Sequence, residues 1–149
     1  MSMTTVKTTT RKFEQGNAVR CECNGFSIIL EPTSTTQGAN ANMNPMEAVL
    51  CALGGCEALV SMNYAKSNNI NLKDVYVEIE GNLDSDGMSV QNVKPGFNDI
   101  KCNVYLDTDA NDEQVKALTD FINNKGPVVD TIKNPVQLDI KSVVRASVK

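Results

Sequence analysis

"NPMEAVLCALGGCEALV", residues Asn44 to Val60, is the stretch on which the fold of this chain turns. Asn44 has the chemistry of a helix N-cap, Pro45 suits the first helical position, and Glu47 stands where its carboxylate closes a capping box. Together they predict a helix from Pro45 to about Lys66. Its apolar residues, Met46, Val49, Leu50, Leu53, Cys56, Leu59, Val60 and Met62, cover much of the circumference with alanine and glycine between them. Such a helix is central and buried on most sides. The Gly54-Gly55 pair costs roughly 1 kcal/mol per glycine in helix propensity, so another backbone is expected to come close there.

Outward from the helix, the preceding residues read as strands. "TTVKTTTRKF" alternates and is rich in threonine, while "NAVRCEC" and "FSIILE" flank Asn24-Gly25, a two-residue hairpin signal. "PTSTTQGANANMN", from Pro32 to Asn44, lacks periodicity and is expected to be an exposed loop. After the helix, "NLKDVYVEIEGNLD" and "FNDIKCNVYLDTD" are strands joined by the turn-rich "SDGMSVQNVKPG". "DAND" caps a second amphipathic helix, "EQVKALTDFINNKG", with Val115, Leu118, Phe121 and Ile122 on one side and Gly126 at its end. "PVVDTIKN" restarts at Pro127 as a short helix, and "VQLDIKSVVRASVK" reads as a closing strand. The order is α+β without internal repeats. A chain of 149 residues with 41% hydrophobic content supports one domain, residues 1–149.

Composition narrows the chemistry. A net charge of -4, with 14 scattered lysines and arginines, argues against a nucleic-acid partner. No apolar run approaches the roughly 20 residues that cross a bilayer, and the opening residues lack the apolar stretch of a secretory signal. The expectation is a cytoplasmic protein without a membrane partner. The five cysteines, Cys21, Cys23, Cys51, Cys56 and Cys102, are odd in number and lack a disulfide framework, so reduced thiols are expected. There is no histidine, and "CEC" is too short for a zinc knuckle, so neither a metal site nor a cofactor is expected. Catalysis by a Cys-His or Ser-His pair is excluded, leaving thiol, carboxylate, Arg, Lys or Tyr.

The Asn-Pro-x-Glu entry, the Gly-Cys pair about three turns on, "NINLKDVYVEIEGNLD" and "LTDFINNKGPVVDTIKNPVQLDI" resemble the OsmC/Ohr family, named for osmotically inducible protein C and organic hydroperoxide resistance. The resemblance covers most of the chain. It implies antiparallel sheets wrapped around two central helices in an intertwined homodimer, with sites at the dimer interface. It also implies that Cys56 is a thiolate attacking a peroxide oxygen, giving a sulfenic acid. A resolving cysteine in a Cys-Pro-Val step completes the family's chemistry, and here the matching residues are Gly126-Pro127-Val128. The hydroperoxide branch places a carboxylate ten residues before the helix cysteine, where this chain has Met46, and Arg20 is the nearest candidate for the family's activating arginine.

The residues themselves leave two readings of Cys56 open. It is either a reactive thiol or a small apolar filler in a packed helix. About three turns inside the helix, it is too deep for the helix's own N-terminus to lower its pKa, so reactivity needs an external cation. Glu47 lies about 13 Å along the axis and roughly opposite, and capping accounts for it. Glu57 would raise a neighbouring thiol's pKa and reads as a polar-edge or interface residue. Cys51 diverges from Cys56 by about 140°, and Cys21, Cys23 and Cys102 read as structural fillers. The functional expectation is a one-cysteine protein that reduces hydroperoxides or otherwise reacts with electrophilic or oxidised small molecules and is regenerated by an external thiol. The alternative is a non-catalytic dimeric protein of the same fold that binds a small molecule or carries sulfur.

Overall fold

The computed structural model describes residues 2–32 and 40–145. Most of the polar segment before the first helix, residues 33–39, and the last four positions of the expected closing strand lie outside the described residues. The chain begins with three antiparallel strands, β1 (Thr9–Lys12), β2 (Val19–Cys23) and β3 (Phe26–Leu30), ordered β1-β2-β3. Asn24 and Gly25 turn the β2-β3 hairpin with φ of 52° and 83°. Two successive positive φ values suit the right-handed twist of the flanking strands, which is why Asn-Gly is favoured there. The register pairs Cys21 with Ile28 and Cys23 with Phe26, placing them on one apolar face with Val19 and Leu30. No helix and neither strand of the second sheet packs extensively against this sheet among the described residues. Leu30 is buried, but Phe26 remains 80% exposed and Ile28 is exposed as well, so this apolar face is only partly covered in the single chain.

Glu31 ties the end of β3 to the helix entry. Its carboxylate accepts backbone N–H groups from Ala41 and Asn42. Those hydrogen bonds, led by that of Asn42, hold its carboxyl below the ordinary range although burial opposes them. Helix α1 (Pro45–Ser67) then starts as its sequence requires. The Asn44 side chain accepts from the Glu47 N–H at 2.9 Å, and Glu47 accepts from the Asn44 N–H at 2.8 Å. Beyond the C-cap Asn68, Asn69 adopts the left-handed region with φ 54° and stops the helix.

The hairpin of β4 (Leu72–Leu83) and β5 (Phe97–Thr108) supplies the surface on which α1 lies. Val75, Val77 and Ile79 face α1 beside Leu106, Val104 and Cys102. A Cβ on Gly54 would stand 3.4 Å from Ile79 Cδ1, an ordinary contact. The close neighbour at this glycine is therefore a side chain, not the expected backbone. On the outer face Tyr76 and Tyr105 pair with centroids 5.8 Å apart, and both donate to the Glu78 carboxylate. Helix α2 (Asp112–Lys125) repeats the capping box with Asn111 and Gln114 and meets α1 through Tyr64 and Phe121, ring to ring at 4.9 Å. Gly126 separates it from the short α3 (Pro127–Lys133).

Three expectations are corrected. Only Leu53, Glu57, Ser61 and Ala65 of α1 are buried, a stripe of four-residue spacing, while Leu59 is 61% exposed and Met62, Gly55 and Cys51 are open. One chain therefore covers one side of a helix that is apolar all round. By length and composition, those 23 residues are also long and apolar enough to cross a bilayer, contrary to the sequence reading. The last correction concerns residues 136–145, the described part of the expected closing strand. They form no ladder, and Val136, Leu138 and Ile140 project on alternate positions into solvent.

Candidate functional site

Cys56 sits mid-helix at the margin between the buried stripe and the uncovered face, half-buried. At about 100° per residue it points one step away from Glu57, which is directed inward, and one step from Gly55, which is directed outward. All five cysteines are free. Arg20 is not brought to Cys56 within the chain. Its guanidinium lies 5.6 Å from the Phe13 ring centroid, on the face of β2 opposite the apolar one. Met46 is half-buried in the first turn of α1, and Glu47 is occupied by the capping box.

Glu57 is the residue that sequence reasoning misplaced. Instead of lying at a polar edge it is 3% exposed, and its Oε1 has no hydrogen-bond partner among the described residues. Burial pushes its carboxyl pKa up, while the Lys133 ammonium on α3 acts in the opposite sense. The available signal was the recurrence Leu53, Glu57, Ser61, Ala65 every four residues, which marks one helix face. Hydrophobicity hid it, because α1 offers apolar residues in every direction and does not reveal which side α2 and α3 will cover.

Glu57 is among the residues that line a recess of about 820 Å³ between α1, β5, α2 and α3, open to the surface. Leu53, Ile100, Val104, Leu118 and Ile122 form much of its apolar wall, with Lys94, Asp99 and Lys133 as its other charged residues. Cys102 borders it as well. Burial first, and the Glu57 carboxylate second, push that thiol pKa up, which makes it a poor nucleophile. Cys56 is not among the lining residues. A Cβ at Gly126 would meet the Ile122 carbonyl oxygen at 2.8 Å and Glu57 Oε1 at 3.4 Å. The α2-α3 junction thus leaves no room for a side chain where the family resemblance implies a resolving thiol. Among the described residues, no group of His, Cys, Asp and Glu side chains is suited to hold a metal ion.

A family model described as OsmC-like protein matches residues 38–141. Similar solved structures include an OsmC-like protein from Mycoplasma pneumoniae, with 16% identity, a TM-score of 0.76 and 89% of each chain covered. An organic hydroperoxide resistance protein OsmC from Legionella pneumophila shares 17% identity at a TM-score of 0.61, covering 90% of this chain and 93% of its own. The organic hydroperoxide resistance protein OhrB of Bacillus subtilis shares 20% identity at a TM-score of 0.57, covering 90% of this chain and 94% of its own. No curated protein sequence matches. At these identities the solved structures establish the fold.

Proposed function

The chain belongs to the OsmC-like protein family, and from that premise we propose that it is a thiol-dependent hydroperoxide reductase in which Cys56 is the single reacting cysteine. The observation that carries this reading is the position of Cys56 on α1. It stands half-buried at the border of an uncovered apolar face, where a second copy would leave it at the rim of the interface. The working form is accordingly a homodimer, and its place is the cytoplasm, where thiols stay reduced.

The Cys56 thiolate attacks the distal oxygen of the hydroperoxide, and the S–O bond forms as the O–O bond breaks. The departing alkoxide takes a proton and leaves as an alcohol, with Cys56 oxidised to a sulfenic acid. All five cysteines are free in the chain, and glycine stands at 126, where the family resemblance implies a resolving thiol. An external thiol therefore attacks the sulfur, releasing water and forming a mixed disulfide. A second equivalent of that thiol releases Cys56 and leaves as a disulfide. The cation needed to ionise Cys56 comes from the partner copy, since Arg20 of the same chain faces elsewhere.

With cumene hydroperoxide and excess dithiothreitol, the protein is expected to consume peroxide catalytically and the Cys56→Ser variant to consume none above background. Equal turnover by both would end this reading. The second reading, a non-catalytic binding protein, is favoured by the crowded Gly126 and the open, largely apolar recess beside Glu57. It is recognised by an intact mass that does not change after mild peroxide. A gain of one sulfur atom on Cys56 after incubation with a persulfide donor would instead mark a sulfur carrier.

A further inference from the structure

Only three of the chain's 14 basic residues are arginines, Arg11, Arg20 and Arg145, and all three line one surface recess of about 710 Å³. They come from β1, β2 and the far end of the described chain, so the fold and not the local sequence gathers them. The strand register sets Arg11 directly opposite Arg20. Like charges in that position oppose strand pairing, and among the described residues none of the three arginines takes part in an ion pair. Lys12 adds a fourth cation to the lining and Glu22 its one carboxylate, which leaves three positive charges in a chain of formal charge -4.

The residue type matters as much as the charge. A guanidinium matches the oxygens of a phosphate or carboxylate with two parallel N–H groups, which an ammonium cannot do. The Arg20 guanidinium rests over the Phe13 ring, 5.6 Å from its centroid, and is thereby steadied before any ligand arrives. Thr9 and Thr10 add hydroxyl groups to the same wall. A dianion with several oxygens would answer the unpaired guanidinium groups and relieve the cross-strand repulsion together. The recess is also roomy enough for an organic body behind such a head.

We propose that this recess binds the phosphate monoester of a small organic molecule, its dianionic head held by Arg11 and Arg20 with Arg145 as a third contact. Arg11 and Arg20 stand on the face of the sheet opposite Cys21 and Cys23, and Cys56 is not among the lining residues, so the site is separate from the thiol chemistry.

Isothermal titration calorimetry on the full chain with phenyl phosphate and phenyl sulfate tests this assignment. At about pH 7.5 the phosphate carries nearly two charges and the sulfate, of the same shape, one. Phenyl phosphate is expected to bind at least about tenfold more tightly, the scale of one further hydrogen bond between charged groups. Arg11→Glu turns the repulsive cross-strand pair into an attractive one, so it is expected to weaken phenyl phosphate by at least about tenfold without lowering the urea midpoint. Should it disturb the sheet, Arg145→Gln decides, because it lies outside the sheet and is expected to weaken the same probe by about fivefold, the scale of one hydrogen bond. Cys56→Ser is expected to bind like the parent, so loss of peroxide consumption and loss of this site are separately visible. Unchanged affinity in Arg11→Glu and Arg145→Gln, phenyl sulfate as tight as phenyl phosphate, or no binding of phenyl phosphate would overturn the assignment. Tighter retention on phosphatidylcholine vesicles containing phosphatidate, or on a single-stranded oligothymidylate, would overturn it in favour of a membrane surface or a nucleic acid.

Discussion

The cost of Glu57 fixes a direction for pH dependence. Burial raises its pKa in the folded chain above the ordinary value of 4.5, with Lys133 partly opposing. Cys102 on β5, Asp99 beside the cavity mouth and Lys94 are the other titratable groups that border the same space. Between the ordinary and the raised value the folded state binds more protons than the unfolded state, so this group's contribution to stability is present at lower pH and is lost as pH rises. Each unit of displacement corresponds to about 1.4 kcal/mol. Glu57→Gln removes the titration while keeping shape, and its advantage over the parent is expected to be larger at about pH 7 than at about pH 4, read from urea midpoints at fixed protomer concentration. An advantage that is the same at both values would mean the carboxyl is not displaced. Residue-scale reading succeeded where the partner is local and failed where it is not. Asn44 and Glu47 satisfy each other three residues apart, so their capping box is written in the sequence. Glu57 and Gly126 are neighbours only because α2 and α3 fold back onto α1, and nothing within a turn of either residue announces it.

At the scale of the element, α1 carries two different glycines. Gly54 lies against Ile79 and Val77 of β4 with ordinary clearance, whereas a Cβ on Gly55 would meet nothing within 4 Å. In one chain, then, Gly55 has no packing reason to be glycine and costs roughly 1 kcal/mol of helix propensity relative to alanine. Ala52, Gly55, Leu59 and Met62 follow each other at three- and four-residue intervals along the same exposed side. Helices pack through such rows, and small residues in them allow close approach. Gly55→Leu is therefore expected to weaken self-association by at least tenfold in sedimentation equilibrium while the helical circular dichroism of the chain persists. If the substitution stabilises the protein without changing its mass in solution, that face of α1 is not the contact. Much of the element pattern was legible beforehand: the Asn-Gly hairpin, the capping box of α1, the cap of α2 within "DAND" and the short helix after Gly126 stand where the sequence placed them. The degree of burial of α1 was not, because apolar periodicity records what a helix needs covered and not which chain covers it.

Across the whole molecule, two unmet requirements remain, at opposite ends of the chain. The β1-β2-β3 sheet leaves Phe26 and Ile28 of its apolar face exposed, and β1 and β3 both have open edges. Residues 135–145 alternate like a strand but lie outside any ladder, and their far end, Arg145, shares a surface recess with β1. Three strands with a partly bare apolar face are marginal in water, and an unpaired extended segment leaves every backbone donor to solvent. Two copies can meet both needs at once by trading the terminal segment and laying each N-terminal sheet over the partner's α1. This is the arrangement in which the sequence motif "VQLDIKSVV" becomes the strand its alternation describes. A chain ending at Asn134 is then expected to lose the dimer and, with it, hydrogen-exchange protection of the amides from Thr9 to Leu30, since those strands depend on the exchanged segment. Exchange mass spectrometry separates this from simple fraying: residues far from the deletion must lose protection together with the quaternary mass. A truncated protein that stays dimeric, with β1 to β3 as protected as before, would show that the terminal segment is a tail and that the N-terminal sheet is held by other contacts.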